Sequence, residues 1–314
     1  MNVLSAFFKL VRWPNLFFIA LTQMLFRFFI LRFVYAHVPD SPGMKLSEPL
    51  FYWLVFASVC IAAAGYIIND YFDINIDLVN KPHKLIVDRY IKRRWAIVLH
   101  IVLSATGLLI SCYIGYKLRN IYIPVFNLLA IVALWFYSTT FKKKLLIGNV
   151  IISLLTAWVI LVMTFSEDRF HLISSHEYWK RLIKLSFVYA GFAFIISLVR
   201  EVIKDMEDMP GDAKYGCTTM PILWGMQVAK VFVAVWIVVI IGAISAIQIY
   251  VIQLGWWLSA TYSLLAIILP LIWILPRLYN AHSAAEFHRL SSAIKLVMFA
   301  GILSMIFFSN FFTR

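Results

Sequence analysis

Apolar runs of membrane-crossing length dominate the chain, at about 15–34, 51–69, 95–116, 120–138, 145–165, 182–203, 228–251, 256–275 and 292–311. A bilayer core takes about 20 apolar residues as one helix, so the pattern predicts nine transmembrane helices with short connections. Breaks fall from His37 to Pro49, at Lys142 to Lys144, over the polar stretch Ser166 to Lys180, and from Pro276 to Arg289. No room is left for a second, soluble domain, so residues 1–314 read as one all-α, polytopic membrane domain. Lys9 and Arg12 precede the first run, but no small-residue cleavage site follows it, so it reads as a spanning helix rather than a removed signal peptide.

Two of the runs end in acid. Asp70, Asp73 and Asp77 follow the second run, in N-D-Y-F-D-I-N-I-D-L-V-N-K-P-H-K from Asn69 to Lys84. Intervals of three and four stack their carboxylates on one face if the helix that begins near Tyr52 continues through them. Asp205, Asp208 and Asp212 repeat that spacing after the sixth run, in R-E-V-I-K-D-M-E-D-M-P-G-D. With Glu201 and Glu207, these two stretches hold eight of the chain's 15 acidic residues. Like charges so stacked repel, and something cationic should sit between them. One such stretch is also what an ordinary helix end shows, with acids and bases paired in water at about 0–1 kcal/mol per pair. The same spacing twice on one membrane face goes beyond that.

Composition excludes a soluble protein: 63% of residues are hydrophobic and 14% charged, with a mean hydropathy of +0.87. The formal charge of +13 is carried beside apolar segments rather than in an aromatic-interleaved patch, which argues against nucleic acid and for anionic lipid and phosphorylated substrates. With the N-terminus inside, the cytoplasmic segments hold 18 of 28 Lys plus Arg, so both aspartate stretches are expected to face the cytoplasm from a cell membrane. Arg27, inside the first run, is read as lying near its outer end and snorkelling outward. His100 reads as a satisfied core histidine, and His282 and His288 as members of a solvated loop. Cys60, Cys112 and Cys217 show no metal-ligand spacing and receive no role.

Six carboxylates on two facing helix ends, with no histidine or cysteine among them, suit a hard cation such as Mg²⁺, which takes oxygen ligands and keeps several waters. Lys81, Lys84, Lys142, Lys143, Arg200 and Lys204 flank the acids in sequence or share their membrane face. A diphosphate held by Mg²⁺ on one side and by Lys or Arg on the other satisfies both signs of charge. A water-soluble diphosphate has no need of nine apolar helices; a lipid-linked one does, because its tail can lie between them. The chain is 17% aromatic, enough to line such a path and to face a developing carbocation. No nucleophile–base pair with hydrolase spacing stands out.

These residues resemble the UbiA superfamily of intramembrane prenyltransferases. Asn69, Asp70, Asp73 and Asp77 look like that family's first motif, and Asp205, Asp208 and Asp212 like its second. R-W-P-N at Arg12 to Asn15, Y-S-T-T-F-K-K at Tyr137 to Lys143 followed by Gly148-Asn149, and G-C-T-T-M-P at Gly216 to Pro221 are similar to further family segments. Within the superfamily, the second stretch looks most like that of the digeranylgeranylglyceryl phosphate synthases. The resemblance implies nine helices around a central cavity, Mg²⁺ bridging the aspartates to a prenyl diphosphate, and geranylgeranyl transfer to the hydroxyl of geranylgeranylglyceryl phosphate. It further implies Asn69, Asp70, Asp73, Asp205, Asp208 and Asp212 as metal and diphosphate ligands, with Lys81, Lys142, Arg200 and Lys204 at the matching phosphate-contact positions. One departure concerns the segment after the first motif, where the family often runs N-R-P-x-R-P-I-P-x-G and this chain has N-K-P-H-K-L-I-V-D-R from Asn80. That loop should differ in shape.

Two other readings stand beside this one. An aromatic acceptor, as in quinone or haem synthesis, would share the acidic pair. A cation transporter would also use aspartates, although transporter sites usually lie near the midplane on interrupted helices. The expected partners are a prenyl diphosphate, a lipid-soluble acceptor and membrane lipids, with no protein partner evident.

Overall fold

The computed structural model describes residues 2–36, 43–82, 85–167 and 177–308. A short amphipathic helix, α1 (Val3–Leu10), leads into the bundle. Nine helices among the described residues are long and apolar enough to cross a membrane: α2 (Trp13–Ala36), α3 (Glu48–Phe72), α5 (Arg93–Leu118), α6 (Tyr122–Thr139), α7 (Ile147–Ser166), α8 (Glu177–Lys214), α10 (Met226–Gln253), α11 (Trp257–Asn280) and α12 (Ala284–Phe308). Two short helices, α4 (Ile74–Asn80) and α9 (Met220–Leu223), follow α3 and α8. The protein is a multi-pass membrane protein. In lipid every backbone N–H and C=O must be paired internally, which a bundle of helices achieves.

The nine expected runs correspond one to one with these helices, and two extend well beyond their apolar runs. Helix α8 continues through the second acidic stretch to Lys214, carrying its aspartates on a rigid helix rather than at its end. Helix α12 begins at Ala284 because Ser283 and Glu286 form a capping box, which moves His288 from a solvated loop onto the helix. Conversely, α3 stops at Phe72, and Asp73 forms the joint to α4. The bonds Asp73 N–H to Asn69 O (3.0 Å) and Asp77 N–H to Asp73 O (2.8 Å) keep the turn helical across that joint.

Helices α2, α3, α6, α7, α8 and α12 pack side by side in a closed ring. Helix α5 lies outside against α3 and α6, and α10 and α11 lie outside against α8 and α12. Close packing needs small residues at the crossings: a Cβ on Gly107 of α5 would fall 2.7 Å from Ile61 of α3. Helices α10 and α11 are sealed against α8 and α12 by a cluster that includes Ile203, Val233, Ile237, Leu271 and Ile294. His100 is buried with Nδ1 3.0 Å from the Ala64 carbonyl, a satisfied core histidine as expected.

Arg27 does not snorkel. It lies in a π-helical stretch of α2, Phe26–Leu31, and is only 5% exposed. Its guanidinium donates to the Leu46 carbonyl (2.9 Å) and stacks over Phe51 at 4.7 Å. The loop that precedes α3 folds back beside it, which is why water is replaced by a carbonyl and a ring face.

Candidate active site

The ring encloses a cavity of about 920 Å³. Among the described residues its lining comes from the six ring helices, the segments between them and Lys9 of α1, with none from α5, α10 or α11. All of Asn69, Asp70, Asp73, Asp77, Lys81, Lys142, Arg200, Lys204, Asp205, Asp208 and Asp212 line this one cavity. Lys84 lies outside the described residues, as does His83 in the divergent segment after the first motif. The part of that segment that is described places Ile86 and Tyr90 on the cavity wall.

Asp70 and Asp73 of the first motif each meet a partner from another element. Arg12, in the left-handed region (φ 53°) at the corner between α1 and α2, pairs with Asp70 at 2.7 Å and lies over the Tyr66 ring at 5.1 Å. Asp73 accepts from Asn69 (2.6 Å) and from Lys142 of the α6–α7 connection. Burial opposes the charge on Lys142, but Asp73, Tyr137 and Asp77 outweigh it and hold the ammonium above its ordinary range. Asp77 is pushed up to about 6 by burial and then by its neighbour Asp73.

The second motif is ordered by helical periodicity. Glu201, Asp205, Asp208 and Asp212 fall three and four residues apart on α8 and all face the cavity. Asp205 accepts from Asn149 of α7 at 2.8 Å. Lys81 reaches Asp208 at 2.6 Å and Glu207 at 3.4 Å, and burial, which lowers its pKa, is outweighed by Asp208 so that the net shift is upward. Asn80 staples the two stretches together, donating to the Asp208 carbonyl (2.9 Å) and accepting from the Gly211 N–H (2.8 Å). A Cβ at Gly211 would lie 2.5 Å from the Asn80 side chain. That close approach requires glycine.

Several cavity residues carry no signal in the acidic motifs themselves. Glu207 is also met by His288 Nδ1 at 3.0 Å. Glu201 sits between Arg200 (3.1 Å) and Lys204 (3.0 Å). Lys295 of α12 donates to Asn15 at 2.7 Å. The family-like segments R-W-P-N and Gly148-Asn149 pointed to Arg12, Asn15 and Asn149. Glu201 and Glu207 were marked only as members of the second acidic stretch, and nothing marked His288 or Lys295 as site residues.

The donor set fits Mg²⁺ bound jointly with a phosphorylated ligand. Among the described residues no three His, Cys, Asp or Glu side chains converge into a protein-only metal cage. Mg²⁺ is commonly held by one or two carboxylates plus waters and substrate phosphates, and the rim offers oxygen donors of that type. Asn69 Oδ1 is buried there with no hydrogen-bond partner among the described residues, an oxygen whose burial calls for a ligand. Further in, the lining turns apolar, with Leu155, Trp158, Val162, Phe192, Met298, Ile302 and Met305. The cavity therefore joins an acidic, lysine-bridged rim to a greasy interior.

Known proteins resemble this chain in sequence and share its fold. The sequence pattern of the UbiA prenyltransferase family matches residues 12–303. The digeranylgeranylglyceryl phosphate synthase of Methanothermobacter thermautotrophicus is 32% identical over 216 residues, 64% of this chain and 70% of that one. A solved digeranylgeranylglyceryl phosphate synthase superposes with a TM-score of 0.61 at 23% identity, over 98% of this chain and 99% of the other. A UbiA homologue from Archaeoglobus fulgidus, bound to GPP and Mg²⁺, superposes with a TM-score of 0.53 at 13% identity, over 96% and 99% of the two chains. The chain belongs to the UbiA prenyltransferase family, and it is a membrane-embedded prenyltransferase.

Proposed function

We propose that the chain transfers a geranylgeranyl group from a prenyl diphosphate to the free hydroxyl of geranylgeranylglyceryl phosphate, in the cell membrane, with the acidic rim facing the cytoplasm. The observation that carries this reading is the convergence of both acidic stretches on one mouth of a cavity whose interior is apolar. A diphosphate can be held at that mouth while its chain lies inside. The naming of relatives as digeranylgeranylglyceryl phosphate synthases supports the acceptor, and neighbours bound to GPP or DMAPP with Mg²⁺ support the donor and the metal. The excess of basic residues in the segments on the rim side supports the orientation.

Asn69, Asp70, Asp73, Asp77, Asp205, Asp208 and Asp212 would hold Mg²⁺, which when bound neutralises charge on the departing diphosphate. Lys81 and Lys142 lie among these acids and donate hydrogen bonds to phosphate oxygens as the allylic C–O bond lengthens. The apolar lining keeps water from the carbocation, and the rings of Tyr66 and Tyr137, on the wall nearest the acids, offer their faces to it. The acceptor hydroxyl oxygen then bonds to the allylic carbon, its proton passes to the diphosphate already cleaved from that carbon, and the diphosphate departs.

The test is product identity. Membranes containing the protein receive labelled geranylgeranyl diphosphate with either geranylgeranylglyceryl phosphate or an aromatic acid, and the lipids are separated. Labelled diether is the expected product. Label in the aromatic acid alone would overturn the acceptor assignment.

A further inference from the structure

The basic residues of the cavity do not all belong with the acidic rim. Lys81 and Lys142 are paired with rim aspartates. Arg200, Lys204 and Lys295 are not. Arg200 and Lys204 share the single carboxylate of Glu201, seven residues before Asp208 on α8 and therefore about 10 Å further in. Lys295 lies seven residues beyond His288 on α12, at the same depth by the same ruler. Among the described residues it has no carboxylate partner; its Nζ is held by Asn15 Oδ1 at 2.7 Å and over the Phe18 ring at 5.2 Å. Arg12, bound to Asp70 at 2.7 Å, completes the group, and the four cations are close enough for their charges to act on one another.

Arg12, Arg200 and Lys204 touch only two carboxylates, Asp70 and Glu201, with Asp73 and Asp205 acting on the group without an ion pair to it, and Lys295 touches none, a costly arrangement in a largely apolar enclosure without a counter-ion. Arg200 Nε–H is buried there with no acceptor among the described residues. A phosphomonoester carries about −1.5 to −2 charges at pH 7 and three acceptor oxygens, which answers both the charge and the orphan donor. We infer that Arg12, Asn15, Arg200, Lys204 and Lys295 form a second anion site, adjoining the acidic rim through the Arg12–Asp70 pair, that takes the lipid-borne phosphomonoester of the acceptor. This rests on the acceptor reading above and reassigns Arg200 and Lys204 away from the donor diphosphate.

The experiment uses the full chain in nanodiscs with a chelator present, so that no metal binds anions at the rim. Octyl phosphate, octanol and inorganic phosphate are titrated against wild type, Lys295→Met and Lys295→Arg. Octyl phosphate should bind wild type and the Arg variant at least about tenfold more tightly than either control, and Lys295→Met should lose that preference. Equal binding of inorganic phosphate would assign the site to free phosphate and sink the lipid reading. In turnover, Lys295→Met should raise the KM for geranylgeranylglyceryl phosphate about tenfold and leave the donor KM unchanged. A raised donor KM, or unaltered octyl phosphate binding, overturns the second site. If wild type makes no diether but still binds octyl phosphate through Lys295, the acceptor assignment fails and the anion site stands.

Discussion

Lys81 joins the two acidic stretches: it follows the first in sequence, yet its Nζ lies 2.6 Å from a carboxylate oxygen of Asp208 in the second. A lysine in that place brings a positive charge to the point where the two sets of acids meet. Lys81→Met should therefore lower kcat/KM for the prenyl diphosphate about 10²-fold, the usual loss on removing one preorganised donor, while Lys81→Arg keeps part of it. Steady-state transfer assays measure this, and wild-type rates in the Met variant would reduce Lys81 to an ordinary ion pair.

Metal removal provides the second prediction. The rim's donors are all oxygens, so chelation should abolish transfer and Mg²⁺ should restore it. Asp70→Ala or Asp205→Ala should abolish transfer while the protein still folds into the membrane. Asp208→Asn should raise the Mg²⁺ concentration for half-maximal rate by about tenfold or more. Turnover that persists in either Ala variant, or in chelator, would contradict the role given to the acids.

Gly211 and Asn80 make a third test, because the absence of a side chain at one is what admits the side chain of the other. Gly211→Ala would place its Cβ 2.5 Å from Asn80, costing about 1–3 kcal/mol by overpacking and parting α4 from α8. Asn80→Ala removes two hydrogen bonds but opens that space. The double variant should then be less destabilised than the two single losses added together, as expected for residues in contact. Additive melting shifts would show that the clash is relieved elsewhere.

Hydrophobic run length made the nine spans legible, because lipid leaves the backbone few options. The acids were legible because so few occur outside two stretches. What escaped did so for physical reasons. The polar sequence from Lys204 to Lys214 reads as a helix end, yet α8 continues through it, where Asn149 meets Asp205, Lys81 meets Asp208 and Asn80 bonds the backbone at Asp208 and Gly211. His288 looked like loop because the apolar run starts later; the S-A-A-E signature at Ser283 to Glu286 is a helix start that places His288, Ser291 and Lys295 on one stripe. Arg27 was misplaced because its partners, the Leu46 carbonyl and Phe51, come from a loop and another helix that one-dimensional periodicity does not bring near.

At the far end from the rim, Glu167 is fully buried and accepts from the Lys45 amide (2.6 Å), the Leu46 amide (3.2 Å) and the Tyr35 hydroxyl (3.0 Å). It lies 18 residues beyond Asn149, about 27 Å along the helical rise. Glu167→Ala leaves buried donors unpaired at about 1–3 kcal/mol each, so the melting temperature should drop while both KM values hold. Burial keeps the Glu167 carboxyl above its ordinary range, and those donors only partly pull it back. A carboxyl with a raised folded pKa takes up a proton on folding, so its contribution is full below the unfolded pKa and fades as pH rises through the folded value. Glu167→Gln should flatten that segment of the stability–pH curve, and an unchanged slope would count against the assignment.

The interior of the cavity bears on the length of chain it admits. Trp158 lines it nine residues beyond Asn149 on α7, about 14 Å inward from the residue that holds Asp205. Its indole N–H donates to Asn127 Oδ1 at 2.9 Å, Asn127 donates in turn to Ser111 at 2.8 Å, and its ring packs on Phe126 and Phe165 with centroids 4.9 and 5.9 Å away. A ring fixed on one edge by a hydrogen bond and backed by two aromatics that adjoin each other at 6.3 Å cannot swing aside to admit a longer tail. Trp158→Ala should therefore let donors longer than geranylgeranyl diphosphate compete, with their share of product rising several-fold in a mixed-donor assay. Asn127→Leu, which frees the indole without removing it, should move the ratio the same way by less. An unchanged ratio in Trp158→Ala would place the chain-length limit elsewhere in the cavity.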